Sequence, residues 1–371
     1  VRSKMLRLLL LIMAVLAKGD VHNSSQVPVI DVSSFYGGSE SVKREIADAV
    51  SHAFAEFGFA VITGHNVRDQ LFEDAYDAGK DFFHQPIAEK GHFDLGKGYG
   101  FGGYLNKMEV GGQLTGRRAN HSDGVESLTL RGLQHVVASD DVCSSSAEKA
   151  HFAQDMSAVP HADAIPCLPP ALRPSVMKLH AALYDLKATM TTLTELALGA
   201  SPGGFFRLFD PAKGAVRFAY YPEMNDAPVE RSIDYGAHAD SGSMVFLRLD
   251  HNNPTGTQVL YKGKWLSVPH VPGGIVMNLG TVLSRLTGGR WHAAVHRASR
   301  VGRGERMSIV LGAMVPRNDL ILECLPHICP VKADQLRQVS VKVYLDARVR
   351  LQRPEKNPHD QDVVSFIDSL L

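Results

Sequence analysis

The chain reads as a mainly β protein with flanking helices, and three observations carry that reading. After Gly203, short apolar segments recur between Gly, Pro, Asn and Asp turns, at 215–221, 243–249, 257–261, 264–268, 274–279, 294–299 and 306–315. This is the pattern of an antiparallel sandwich or barrel. Ahead of them, Val176, Leu179, Leu183, Leu186, Met190, Leu193 and Ala197 fall on one helical stripe, which predicts a long helix from about Pro174 to Leu198. Before that, strand and helix patterns alternate over the first ninety or so residues.

The elements follow in order. Leu8 to Ala17 form an unbroken apolar run behind Arg2, Lys4 and Arg7, too short to span a bilayer. Residues 1–20 fit either a secretory signal or anchor segment or a buried or disordered N-terminal helix. Membrane association follows only if residues 5–17 are kept as an anchor. The sequons at Asn23 and Asn120 matter only in a chain that enters the secretory pathway. Residues 27–33 read as a short strand. Val42, Ile46, Ala49, Val50, Ala53, Phe54 and Phe57 then keep helical spacing over 40–57, and Gly58 stops them. Phe59 to Thr63 is a second strand, and a second helix over 68–84 ends before Pro86. Residues 95–125 are glycine-rich and irregular, and 138–170 read as a long loop. A last helix lies near 338–351. The chain thus divides into an N-terminal region (27–170), the long helix with the β core (171–351) and a tail (352–371).

Composition narrows the function. With 371 residues, 44% hydrophobic and 21% charged, the chain is an ordinary globular protein of one large or two smaller domains. Its 39 basic and 39 acidic side chains cancel, which argues against a sequence-independent nucleic-acid binder. The four cysteines include no CxxC pair, so a structural zinc site is not expected. Cys324 and Cys329 read as reduced unless the chain is secreted.

One constellation carries chemistry. His238-Ala239-Asp240 lies where a β segment should run, and alternation would point the imidazole and the carboxylate to one side. A second imidazole, His296, follows in Ala294-Val295-His296-Arg297. Two His and one carboxylate on one face of a metal suit a non-heme Fe(II) that must keep open positions. Arg306-Met307-Ser308 has the same two-residue spacing, and a guanidinium fork beside a metal matches an anionic cosubstrate. A lone HxD is common, and it is the company of these other groups that gives this one weight.

On these residues the chain resembles the Fe(II)- and 2-oxoglutarate-dependent dioxygenases of the isopenicillin N synthase-like superfamily. The motifs are Arg217 with Tyr220-Tyr221-Pro222, Gly236 through Gly242, Gly263-Lys264-Trp265, Pro272-Gly273-Gly274, Asn278-Leu279-Gly280, Leu286 through Arg290, His296-Arg297 and Arg306-Met307-Ser308. Pro28 through Asp31 and Gly58 through His65 resemble the family's opening strand-helix-strand. The resemblance implies a double-stranded β-helix (jelly-roll) core with an N-terminal helical region and a long support helix. It implies His238, Asp240 and His296 as iron ligands. Arg306 and Ser308 would hold the far carboxylate of 2-oxoglutarate, with support from Tyr221. The cofactor set would be Fe(II), 2-oxoglutarate and O2, with ascorbate as a supporting reductant. The reaction would couple release of succinate and CO2 to hydroxylation, desaturation or cyclisation of a small-molecule substrate, in the cytoplasm. The motif does not separate this from oxidases of the same fold that need no 2-oxoglutarate, nor alone from an inactive metal-binding scaffold. Ala219 stands where the family often has Asn, Thr281 where it has Asp, and Trp291-His292 where it has an aromatic-basic pair.

Other candidates are weaker. His292 and His296 would pair on a helix, but no Glu follows His292. The run Gly96 to Gly103 lacks a Walker-type Lys and a following helix, and reads as a loop bordering the site. Phe101 and Tyr104, with Leu105, are candidates for the substrate pocket. Met244, Phe246 and Leu247 read as core, and His65 as a packing or hydrogen-bonding group.

Overall fold

The computed structural model describes residues 26–94, 103–106, 125–131, 133, 168–209, 214–223, 233–250, 252, 256–299, 304–313, 316–325, 328–329 and 339–351. Twelve strands form two sheets among them. They are β1 (Val29–Asp31), β2 (Phe59–Thr63), β3 (Gly103–Leu105), β4 (Glu126–Arg131), β5 (Ala215–Tyr221), β6 (Ile233–His238), β7 (Met244–Arg248), β8 (Thr257–Tyr261), β9 (Lys264–Ser267), β10 (Ile275–Leu279), β11 (His296–Ser299) and β12 (Arg306–Ala313). The major sheet runs β1-β2-β10-β7-β12-β5-β4-β3, and the minor sheet β6-β11-β8-β9. Among the described residues only β1 and β2 pair in parallel. The helices are α1 (Glu40–Glu56), α2 (Asp69–Phe83), α3 (Ile87–Gly91), α4 (Arg173–Leu198), α5 (Thr281–Leu286) and α6 (Val341–Leu351). This is the expected jelly-roll core with its N-terminal helices and long support helix.

Period-two alternation explains the layers. On β12, Met307, Ile309 and Leu311 join the large core shared with the helices, and so do Val216, Phe218 and Tyr220 of β5 and Ile275, Met277 and Leu279 of β10. The alternate residues face the minor sheet. There they form two smaller apolar clusters, one around Phe59, Val61, Val259 and Val276 and another around Val125, Ala219, Tyr221, Tyr235 and Ala298. The predicted stripe of α4 is buried throughout, and α1 and α2 pack on that helix. Pro174 opens α4, and Gly199 closes it in the left-handed conformation.

Gly58 shows why α1 stops where it does. Its φ is 66°, and a Cβ there would collide with the His292 carbonyl, so the chain can turn into β2 only with glycine. Three further details differ from the sequence reading. Asp240 lies beyond the end of β6, not on the strand. α3, β3, β4 and α5 are additional elements, β3 lying within the stretch 95–125 that reads as irregular. Cys324 and Cys329, read as reduced, are joined in a disulfide. The turn between them, in which the Ile328 and Cys329 amides donate to the Leu325 carbonyl, brings their Cα atoms to 5.9 Å, within bridging distance. No helix among the described residues is long and apolar enough to cross a membrane.

His65 packs as expected and yields a pH prediction. It is 5% exposed, its Nε2 donates to the Gly273 carbonyl at 2.7 Å, and its Nδ1 accepts from the Val67 amide at 3.2 Å. Burial is the main cause that lowers its pKa below the ordinary 6.5. The neutral ring therefore stabilises the fold fully above pH 6.5, and that contribution is lost as pH falls through the lower folded value. A thermal midpoint followed from about pH 7.5 to about pH 5 should fall more steeply for wild type than for His65→Gln. The comparison with the variant matters because His180 and His296 shift in the same direction.

Candidate metal centre

Two antiparallel partners present the imidazoles. His238 ends β6 and His296 begins β11, and the two are paired in register, their ring centroids 4.3 Å apart. Each Nδ1 lies against the carbonyl two residues earlier, His238 on Gly236 at 2.8 Å and His296 on Ala294 at 3.1 Å. A carbonyl only accepts, so each Nδ1 carries the proton and each Nε2 turns its lone pair into the site. Asp240 completes the group. Its oxygens stand 3.6 Å from Nε2 of His238 and 3.8 Å from Nε2 of His296. All three ligand atoms lie within 4.8 Å of one another, so one ion can reach them together.

Asp240 is held from β10. The Asn278 amide donates to Asp240 Oδ2 at 2.6 Å. The Thr281 amide donates to the Asp240 carbonyl at 2.8 Å, and the Val282 amide to Gly242 at 3.1 Å. The loop that carries Asp240 thus satisfies the open amides at the start of α5. Gly280 makes this approach possible, since a Cβ there would collide with the Gly242 carbonyl. Apolar rings back the imidazoles on both sides. Tyr235 meets His238 edge-on at 4.5 Å, and Phe59 meets His296 at 5.2 Å.

The electrostatics suit a divalent cation. Burial works against the Asp240 carboxylate, but His296, His238 and the Asn278 amide outweigh it and hold its pKa well below the usual carboxylate range. Burial, then the neighbouring His238, push His296 down to about 4. At neutral pH the site therefore offers one negative charge and a neutral imidazole at His296, a hard-and-borderline donor set with no thiolate.

The expected cosubstrate residues share one face of the major sheet. Arg306 and Ser308 are 4% and 6% exposed and alternate on β12 toward the minor sheet. Arg306 pairs with Tyr221 in register, and its guanidinium lies 4.0 Å over the Tyr221 ring. The pocket candidates fare differently. Phe101 lies outside the described residues. Tyr104 is buried on the helix side of β3, where its hydroxyl donates to Glu126 at 2.7 Å beside Lys90. Strand parity is the reason: Tyr104 pairs with Leu128, whereas Leu105 faces inward and packs on the cluster of Ala219 and Tyr221. His292 is exposed and lies outside any helix, so it forms no helical metal pair with His296.

Residues 27–131 match the N-terminal family described as non-haem dioxygenase in morphine synthesis, and residues 212–312 match the 2OG-Fe(II) oxygenase superfamily. Gibberellin 20 oxidase 2 of Oryza sativa subsp. indica is 27% identical over 300 residues, 81% of this chain and 70% of its own. A 2-oxoglutarate-Fe(II) type oxidoreductase of Aspergillus fumigatus is 26% identical over 303 residues, 80% of this chain and 84% of its own. In fold, the chain is similar to a full-length Neurospora crassa protein solved in complex with alpha-KG, with a TM-score of 0.69 at 19% identity over 88% of this chain and 97% of that one. The chain belongs to the 2OG-Fe(II) oxygenase superfamily, and it is a dioxygenase that works with Fe(II), 2-oxoglutarate and O2.

Proposed function

We infer that His238, Asp240 and His296 hold the ferrous ion, that Arg306, Ser308 and Tyr221 receive the far carboxylate of 2-oxoglutarate, and that the enzyme oxidises a C–H bond of a small organic metabolite. The observation that carries this is the convergence of two Nε2 atoms and a carboxylate within 4.8 Å, on a sheet facing the buried Arg306. When bound, the ion supplies activation of O2 coupled to decarboxylation of 2-oxoglutarate to succinate and CO2. The protein's own groups do the rest. Backbone carbonyls at Gly236 and Ala294 hold the imidazole tautomers, and Asn278 aims the carboxylate. Arg306 and Ser308 orient a carboxylate by charge-assisted hydrogen bonds. The two apolar clusters between the sheets keep water away from the reacting centre. Hydroxylation, desaturation and cyclisation are all open to such a site.

The test is a succinate-release screen over a metabolite library with Fe(II), ascorbate and 2-oxoglutarate. We expect iron-dependent succinate formation that at least one library member stimulates. Substrate oxidation that proceeds equally without 2-oxoglutarate would overturn the assignment of Arg306 and Ser308. The role of Asn278 has its own expected outcome. Asn278→Ala should weaken iron affinity by about 10- to 100-fold, as loss of an outer partner does, measured by anaerobic titration with Fe(II).

A further inference from the structure

Two buried hydroxyls tie the metal centre to the last helix. Tyr344 of α6 is 0% exposed, and Thr281, the first residue of α5, is 6% exposed. Their oxygens lie 2.5 Å apart. Thr281 Oγ1 also stands 3.3 Å from the Ser241 carbonyl. A carbonyl only accepts, so the threonine proton goes to Ser241 and the tyrosine proton to the threonine oxygen. The bonds therefore run one way, from Tyr344 to Thr281 to Ser241. Hydrogen bonds in such a series polarise one another, and a low local dielectric strengthens them.

The series ends beside the carboxylate of the site. Thr281 uses its amide for the Asp240 carbonyl at 2.8 Å and its hydroxyl for the next carbonyl, that of Ser241. These carbonyls belong to the two rigid peptide planes that follow the Asp240 Cα. One residue thus fixes both planes, which leaves the Asp240 backbone little freedom to turn its side chain. Asn278 aims the carboxylate from its far end, whereas Thr281 sets the backbone from which it leaves. Thr281 is itself restrained by Tyr344, 63 residues later in the chain.

α6 is a firm anchor that does not depend on this hydroxyl. Val341, Tyr344 and Ala347 form a buried stripe, and the Tyr344 ring belongs to the large core. The Val341 amide donates to the Leu320 carbonyl and the Leu322 amide to the Val339 carbonyl, both at 2.8 Å. The same segment reaches α5, where Arg285 Nε donates to the Leu322 carbonyl at 2.8 Å and the Leu325 amide to the Leu286 carbonyl at 3.0 Å. We propose that Tyr344 is a positioning residue for the iron site: its hydroxyl, through Thr281, holds the loop that presents Asp240 to the metal. This rests on the iron reading above and adds a residue that the reading does not use. Tyr344 acts on how closely the three donors converge, not on their chemistry.

The test is a double-mutant cycle on Fe(II) affinity, read by anaerobic titration of the full chain, with thermal midpoints alongside. Tyr344→Phe keeps the ring in the core and removes only the hydroxyl. It should weaken Fe(II) binding by about 3- to 10-fold, the worth of one buried hydrogen bond. That is less than Asn278→Ala, which removes a direct contact to a ligand. Thr281→Val should lose at least as much, and Thr281→Ser, which keeps a hydroxyl, should stay near wild type. Adding Tyr344→Phe to Thr281→Val should weaken Fe(II) binding no further, because the tyrosine acts only through the threonine. A merely structural tyrosine would lower the thermal midpoint and leave Fe(II) affinity unchanged. Affinity of Tyr344→Phe within about 1.5-fold of wild type, well short of one hydrogen bond, would overturn the proposal. So would an undiminished effect in the Thr281→Val background. Asp240→Ala in the same titration separates the two readings. Unchanged affinity there overturns the iron site and this proposal with it, whereas a loss there beside an unaffected Tyr344→Phe overturns this proposal alone.

Discussion

Asp240→Ala is expected to abolish iron-dependent succinate formation. Iron affinity should fall by more than the roughly 10- to 100-fold that an outer partner is worth. The reason is charge as much as geometry. Asp240 is the one anionic group of the triad, held ionised by His296, His238 and Asn278 against the cost of burial. Without it, a divalent ion meets two imidazoles in a low-dielectric site with no compensating charge. The fold should survive. The backbone bonds that fix this loop, from the Thr281 amide to Asp240 and from the Val282 amide to Gly242, do not involve the side chain. The Asn278 amide loses its acceptor, a cost of about 1–3 kcal/mol, which lowers the thermal midpoint by a few degrees. Asp240→Asn keeps the shape and removes the charge, so it should resemble Asp240→Ala in iron content and wild type in stability. Iron content unchanged in both variants would remove Asp240 from the site.

Much of this was legible in the sequence because a sheet buried on one face and lined by a site on the other writes both faces into its alternation. Arg306, Ser308 and Met307 show it within three residues, and β12 places them as the spacing predicts. The HxD reading reached the right convergence through the wrong local geometry. Asp240 points inward because Asn278 and the start of α5 hold its loop, not because a strand continues through it. That support comes from 38 residues away, a distance no local pattern reports. β4 has visible alternation, Ser127-Leu128-Thr129-Leu130, but only pairing with the distant β5 makes it a strand. α5 is only six residues long, too short for a helical period to show in the sequence. The choice between Tyr104 and Leu105 for the pocket turns on parity alone, which needs the register with Leu128. The disulfide needs the turn at Leu325 and the space left by Gly288, where a Cβ would strike Cys329 Sγ.

Arg306→Gln should raise the KM for 2-oxoglutarate by about 10- to 100-fold, the value of a charge-assisted pair with a carboxylate, with a smaller loss in kcat. Arg306→Lys should recover only part of it, because an ammonium keeps the charge and loses the two-pronged geometry. The effect should stay local, since the strand is pinned independently on its other face. Just before Arg306, Glu305 accepts from the Tyr220 hydroxyl at 2.6 Å and from His84 at 2.7 Å. Just after it, the Met307 amide donates to Asp250 at 3.1 Å. The guanidinium is also confined from the minor-sheet side. A Cβ on Gly256 would lie 3.0 Å from Arg306 Nη1, and the φ of 110° there already favours glycine. If iron affinity falls in step with 2-oxoglutarate affinity in both variants, the loss is one of folding. If KM stays within about twofold of wild type in Arg306→Gln, far below the worth of such a pair, the cosubstrate carboxylate sits elsewhere.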